Sequence, residues 1–381
     1  MLMPSHTNTK MTNIFKNKFR VWWLQVAYTL INSGFLSLLY LYFVKNHLNF
    51  GYIILAEALG YLATLVFILI KRQFRTRYDL RFGFILVFCA LLLLMLPFSA
   101  LVLLIPYTIL KITGAIMFFV PYNILFFETT NLDKKLSRMT SYWSIGLVVG
   151  IFAPLLGGFL FSQLGLLFFI FIATVLVFAA FFLTYLVKKD SYPYTAKEIC
   201  THIKGFRTIV MIDGALPVAS GLLLTLYLLT FVRGAFDFGL LLSFIALLSV
   251  SFSFLLAKIS DKNKKRLEFI WPLSTLSGII MILFYFVHSF WAVIVLIICF
   301  KFISTMLSPI QSNIIFDREN TSATTWISRE LFLNIGRFFV LLFLVPFLYF
   351  GFLKEAFVIV ALLYILFPFV VFKKGVYKKY K

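Results

Sequence analysis

Long apolar runs separated by short polar or basic stretches set the pattern of this chain. Twelve runs meet or approach the roughly 20 apolar residues that a membrane-spanning helix needs. They cover 21–43, 48–70, 82–97, 100–127, 140–161, 165–187, 212–232, 238–257, 268–287, 290–316, 327–349 and 354–372. A longer polar joint at 188–211 divides them into six and six. The pattern predicts an all-α membrane protein with two six-helix bundles, 1–187 and 212–381. Within the joint, Ile199, Ile203, Phe206 and Val210 recur at helical spacing, with Lys197, Lys204 and Arg207 pointing elsewhere. This reads either as an amphipathic helix on the inner membrane surface or as an ordinary basic linker.

Composition agrees. Of 381 residues, 62% are hydrophobic and 13% charged, against about 45–50% and about 25% in soluble domains. A net charge of +21 raises the question of nucleic acid, but the placement of the charges answers it. Basic residues crowd the N-terminus, the alternate loops (Lys71, Arg72, Arg75, Arg77 and Arg81; Lys134, Lys135 and Arg138) and the C-terminus. The intervening loops hold only Lys45, Arg233 and Lys354. That asymmetry predicts a multi-pass protein of the cell membrane with both termini cytoplasmic. The apolar run after Arg20 is too long for a signal-peptide core and reads as an uncleaved first span.

The chain repeats at an offset of 190. Lys111 maps to Lys301, Asn123-Ile124 to Asn313-Ile314, and Ile145-Gly146 to Ile335-Gly336. Two lysines in register inside apolar runs are informative, because a charge at that depth costs at least about 2.5–3.5 kcal/mol.

Two motifs add a resemblance. Ala257-Lys258-Ile259-Ser260-Asp261-Lys262-Asn263-Lys264-Lys265-Arg266 resembles the G-x-L-A-D-R-x-G-R-R loop of the major facilitator superfamily, with both glycines lost. Ala153-Pro154-Leu155-Leu156-Gly157-Gly158 is similar to the G-P-x-x-G-G signature of its proton-coupled antiporter branch. The resemblance implies twelve transmembrane helices in two parallel six-helix repeats (the major facilitator fold) and a monomer. It also implies a rocker-switch transporter whose midplane cavity is lined by the first, fourth, seventh and tenth helices.

Those helices carry polar stripes: Gln25, Tyr28, Thr29 and Asn32; Thr108, Lys111 and Tyr122; Asp213, Ser220 and Tyr227; Lys301, Thr305, Ser308 and Ser312. Related by a twofold axis, Lys111 and Lys301 are expected to face one cavity from opposite sides. There they either bind an anionic substrate or pair with carboxylates. Glu330, Asn334 and Arg337, at i, i+4 and i+7, read as a charge network, either structural or part of the cavity or a gate, with Arg329 beside it. Glu57 is the single acid in its run, with no base near it in sequence, and is a candidate proton carrier. Glu128 and Asp317 end matching helices and, with Asp261, are candidates for a cytoplasmic gate.

Secondary transport of a small organic solute, anionic or amphipathic in the first reading and a lipophilic drug in the second, fits these features, with proton coupling. A non-transporting sensor or scaffold of the same fold is the third reading. An enzyme is not expected: no Walker motif occurs, and His6, His47, His202 and His288 and Cys89, Cys200 and Cys299 form no metal-ligand spacing. No cofactor and no metal are expected.

Overall fold

The computed structural model describes residues 21–128, 135–263, 266–316 and 322–374. Its first half contains α1 (Val21–Lys45), α2 (Phe50–Ile70), α3 (Thr76–Leu93) and α4 (Ala100–Glu128). One further element, Lys135–Leu183, is divided at Gly165 into α5 (135–164) and α6 (166–183). Gly165 makes the division with φ of +74°, a conformation that glycine adopts without the steric penalty of a Cβ. After α7 (Ala196–His202) in the linker, the second half comprises α8 (Arg207–Phe231), α9 (Ala235–Asn263), α10 (Arg266–Phe286), α11 (Phe290–Phe316), α12 (Ala323–Tyr349) and α13 (Leu353–Lys373). All except α7 belong to the twelve-helix bundle. Among the described residues, nine helical segments are apolar and long enough to span a bilayer, and one of these, Gly146–Leu186, holds both α5 and α6.

The third span differs from the expected 82–97. It starts at Thr76 and ends at Leu93, because its charged first turns are helical. Asp79 there accepts from Lys71 Nζ at 2.7 Å and from the Arg75 amide at 2.6 Å.

Close helix crossings use glycine where a Cβ would collide with a neighbouring backbone, as expected in lipid. A Cβ on Gly157 would lie 1.7 Å from the Gly34 carbonyl oxygen of α1, and one on Gly158 2.5 Å from that of Ala235 of α9. The glycine pair after Pro154 therefore joins α5 to its own half through one residue and to the other half through the next. In the second half, Gly336 of α12 approaches Met211 of α8 in the same way.

Two long seams join the halves: α2 against α12, and α5 against α9. They are related by the 190-residue repeat. In the first, Asn49 Nδ2 donates to the Tyr349 carbonyl at 3.0 Å and the Tyr52 and Tyr349 rings meet edge to face. In the second, the Leu155 amide donates to Ser243 Oγ at 2.9 Å.

The linker straps both halves at one end. Strand β1 (Gln73–Arg75) pairs antiparallel with β2 (Ser191–Pro193), and Tyr194 donates to the Ile68 carbonyl at 2.8 Å. A capping box of Thr195 and Glu198 starts α7. Ile199 and Ile203 are fully buried and α7 packs on α12, with His202 Nε2 3.0 Å from Thr325 Oγ1. This corrects the reading of a helix lying on the membrane surface: the apolar face is covered by protein.

Candidate functional site

A cavity of about 600 Å³ opens between the halves. Its walls come from α1, α2, α4, α5, α8, α11 and α12. Helix α1 contributes Gln25, Tyr28, Thr29 and Asn32, then Ser37 and Tyr40. Its wall is broken by a π-helical stretch, Asn32–Leu36, a local widening that is frequent at functional sites. Ser37 Oγ donates to the Asn32 carbonyl at 2.9 Å.

One charge cluster belongs to the first half. Lys111 Nζ of α4 forms an ion pair with Glu57 Oε1 of α2. Tyr40 of α1 sits between them: its hydroxyl accepts from Lys111 at 2.6 Å and donates to Glu57. Both charged side chains are about nine-tenths buried. The Lys111 ammonium also lies 4.6 Å from the centre of the Tyr40 ring. Glu57 is therefore not the isolated carboxyl expected from the sequence. Its base comes from a helix 54 residues away, which a scan of neighbouring positions cannot find.

The second cluster belongs to the other half. Arg329 of α12 donates to Asp213 Oδ2 of α8 at 2.9 Å and to Ser312 Oγ of α11 at 3.3 Å. Glu330 lies 3.7 Å from Arg329 and 3.6 Å from Arg337. Arg337 donates to Asn334 Oδ1 at 3.0 Å, and Asn334 donates to the Glu330 carbonyl at 2.7 Å. Tyr61, one turn from Glu57 on α2, lies under the Arg337 guanidinium at 5.5 Å and connects the two clusters across the α2–α12 seam. The charged residues facing the cavity are Glu57, Asp213 and Glu330 against Lys111, Arg329 and Arg337. Among the described residues three acids meet three bases, so this part of the wall carries no formal net charge.

Other expected site residues divide. Ser308 lines the cavity with Ser312, and Asn334 is buried behind it. Tyr122 is also behind the wall, donating to Gln25 Oε1 at 2.6 Å. Ser220 is turned into its own half, within 3.3 Å of the Tyr364 hydroxyl. Tyr227 donates to the Val287 carbonyl at 3.0 Å, and Thr305 to that of Lys301 at 2.6 Å. Lys301 is not among the cavity-lining residues. It stands two helical turns along α11 from Ser308, about 10 Å at 1.5 Å per residue. The expectation of two lysines facing one cavity is thus corrected: Lys111 lines it, and Lys301 does not.

Glu128 accepts from the Tyr192 hydroxyl of the linker, which lies 2.8 Å from both carboxylate oxygens. The Asp261 side chain and Asp317 lie outside the described residues. Tyr40 and Tyr61 were not legible as site residues, although Tyr61 stands at i+4 from Glu57 and Tyr40 continues the α1 stripe past its π-helical turn. Among the described residues, no group of three metal-ligating side chains occurs.

No family model matches the chain, and no curated protein does. Solved structures do. Over 96% of its length the chain is similar to 97% of a POT family transporter in complex with a thioalcohol-conjugated peptide, at 14% identity and a TM-score of 0.67. It is similar at 13% identity and 0.68 to a POT family transporter in complex with 5-aminolevulinic acid, covering 95% of this chain and 96% of that one. A bacterial homologue of the iron transporter ferroportin, in an inward-facing state, matches at 13% and 0.62, covering 95% of this chain and 99% of that one. The chain has the fold of these major facilitator transporters.

Proposed function

We propose that the protein is a secondary active transporter that moves a small polar solute bearing both charges through the cavity by alternating access, coupled to protons. The observation that carries this reading is the balanced wall, Glu57, Asp213 and Glu330 against Lys111, Arg329 and Arg337. An anionic substrate needs uncompensated cations, and Lys111 is paired while Lys301 is off the wall. A lipophilic drug fits poorly against six charges. A zwitterion can exchange both of its charges with the two clusters without leaving a buried charge unpaired. The 5-aminolevulinic acid bound by one structural neighbour carries an amine and a carboxylate.

The chemistry follows from the pair. Protonation of Glu57 releases Lys111 to hold a solute carboxylate, while Glu330 or Asp213 takes its ammonium group. Loss of the proton restores the Glu57–Lys111 pair and expels the carboxylate. The seams α2–α12 and α5–α9 close the end opposite the linker and part when the halves rock. By the distribution of basic residues, the linker end is cytoplasmic.

Thermal unfolding of the purified protein with zwitterionic, anionic, cationic and neutral solutes tests the substrate class. A ligand at 100 times its dissociation constant adds about 2.7 kcal/mol. Stabilisation by amino acids or short peptides, and none by simple anions, is expected. Stabilisation by anions alone contradicts the reading.

A further inference from the structure

At the linker end, the charges facing the lipid are treated differently from those in the cavity. Arg77 and Arg81 sit one turn apart on α3, both half-buried. Each is pinned to the end of α6. Arg77 donates through Nε and Nη2 to the Val187 carbonyl, at 2.8 and 2.5 Å. Arg81 donates through Nε to Thr184 Oγ1 at 3.1 Å, and its guanidinium lies 3.5 Å from the centre of the Tyr185 ring. Neither forms an ion pair among the described residues. The neighbouring acids are committed elsewhere, Asp79 to Lys71 and Asp190 to Lys188. Arg81 Nη2 is enclosed and has no hydrogen-bond partner.

Among the described residues two full positive charges thus meet only neutral groups: the Val187 carbonyl for Arg77, and the Thr184 hydroxyl and the Tyr185 ring for Arg81. A guanidinium presents five donors, and these two leave several unused. Around them the surface is apolar and exposed: Tyr78, Phe82 and Ile85 on α3, and Phe178, Phe182 and Tyr185 at the end of α6. Phe88 and Phe178, with ring centres 5.0 Å apart, bring the two helices together above the arginines. Tyrosines at this level are typical of the membrane–water boundary. The result is a groove with fixed cations at its mouth and aromatic walls running into the bilayer.

We infer that the α3–α6 groove is a binding site for an anionic phospholipid, whose phosphate is held by Arg77 and Arg81 and whose acyl chains lie along Phe82, Phe178 and Phe182. Uncompensated, half-buried guanidinium groups attract a phosphate by charge-assisted, often bidentate hydrogen bonds. A basic pocket between helices at the headgroup level is the geometry such lipids fill. A soluble phosphoester offers the same headgroup chemistry but cannot use the aromatic walls.

Native mass spectrometry and thermal unfolding of the detergent-purified protein distinguish these. Phosphatidylglycerol is added to the wild type, to Arg77→Gln/Arg81→Gln, and to Arg233→Gln, which removes an exposed charge at the other end. Phosphatidylcholine and glycerol 3-phosphate serve as the neutral-lipid and soluble arms. Phosphatidylglycerol is expected to stay bound to the wild type and to Arg233→Gln, with occupancy weakened about fivefold for each arginine removed at the groove. Equal retention by the double variant overturns the site, and a full shift from glycerol 3-phosphate overturns the lipid. Photoactivatable phosphatidylglycerol on the wild type gives a test that does not depend on the variant folding. Adducts are expected within 77–85 and 178–187, and adducts spread evenly over the bundle contradict the proposal.

Discussion

Glu57 of α2 and Lys111 of α4 form a buried ion pair at the cavity wall, with the Tyr40 hydroxyl of α1 bonded to both. Three helices of one half therefore converge on a single buried carboxylate. Removing one partner leaves the other charge buried and uncompensated, which costs about 3–5 kcal/mol. Lys111→Gln is expected to destabilise by about 3 kcal/mol in thermal or denaturant unfolding. The double variant Lys111→Met/Glu57→Gln is expected to recover much of that loss. Strictly additive losses contradict the pairing.

The arginine network separates strong from weak partners. Asp213 holds Arg329 at 2.9 Å by charge, whereas Ser312 holds it by one longer neutral contact at 3.3 Å. Asp213→Asn is expected to cost several times what Ser312→Ala costs, the latter about 1 kcal/mol. Unfolding measurements on both variants check the order.

Two glycines of α5 make opposite predictions. A Cβ on Gly157 has no room beside the Gly34 carbonyl, while one on Gly150 would meet no atom of a neighbouring element within 4 Å among the described residues. Gly157→Ala is expected to lose folded protein on size-exclusion chromatography. Gly150→Ala is expected to be neutral or to stabilise by up to about 1 kcal/mol through helix propensity.

How much of this was legible in the sequence depends on the kind of signal. Twelve helices and their halving follow from apolar run length and the 190-residue repeat, because lipid leaves the backbone few alternatives. The i, i+4, i+7 network of Glu330, Asn334 and Arg337 was legible because its members share one helix. The Glu57 partner was not, since contact between α2 and α4 is a property of packing. Lys301 was misplaced for a related reason: the repeat conserves its register on the helix but not the depth at which the cavity ends. Asp213 was visible as one member of a stripe, while its role as the Arg329 counter-ion became clear only with α8 packed on α12.

The α2–α12 seam offers a control on motion. Asn49→Cys with Tyr349→Cys, in a background free of Cys89, Cys200 and Cys299, places thiols where the Asn49 side chain now meets the Tyr349 backbone. Oxidation is expected to trap the seam shut and stop solute flux, and dithiothreitol is expected to restore it. Undiminished flux with the disulfide formed contradicts rocking about this seam.

The most direct test of the account is solute flux into proteoliposomes under an imposed proton gradient, comparing wild type with Glu57→Gln. The solute is the zwitterion that stabilises the protein best. The account predicts gradient-driven accumulation by the wild type. It predicts that Glu57→Gln loses accumulation yet still exchanges labelled for unlabelled solute, since the cavity remains while the proton carrier is gone. Accumulation by Glu57→Gln at the wild-type level would contradict it.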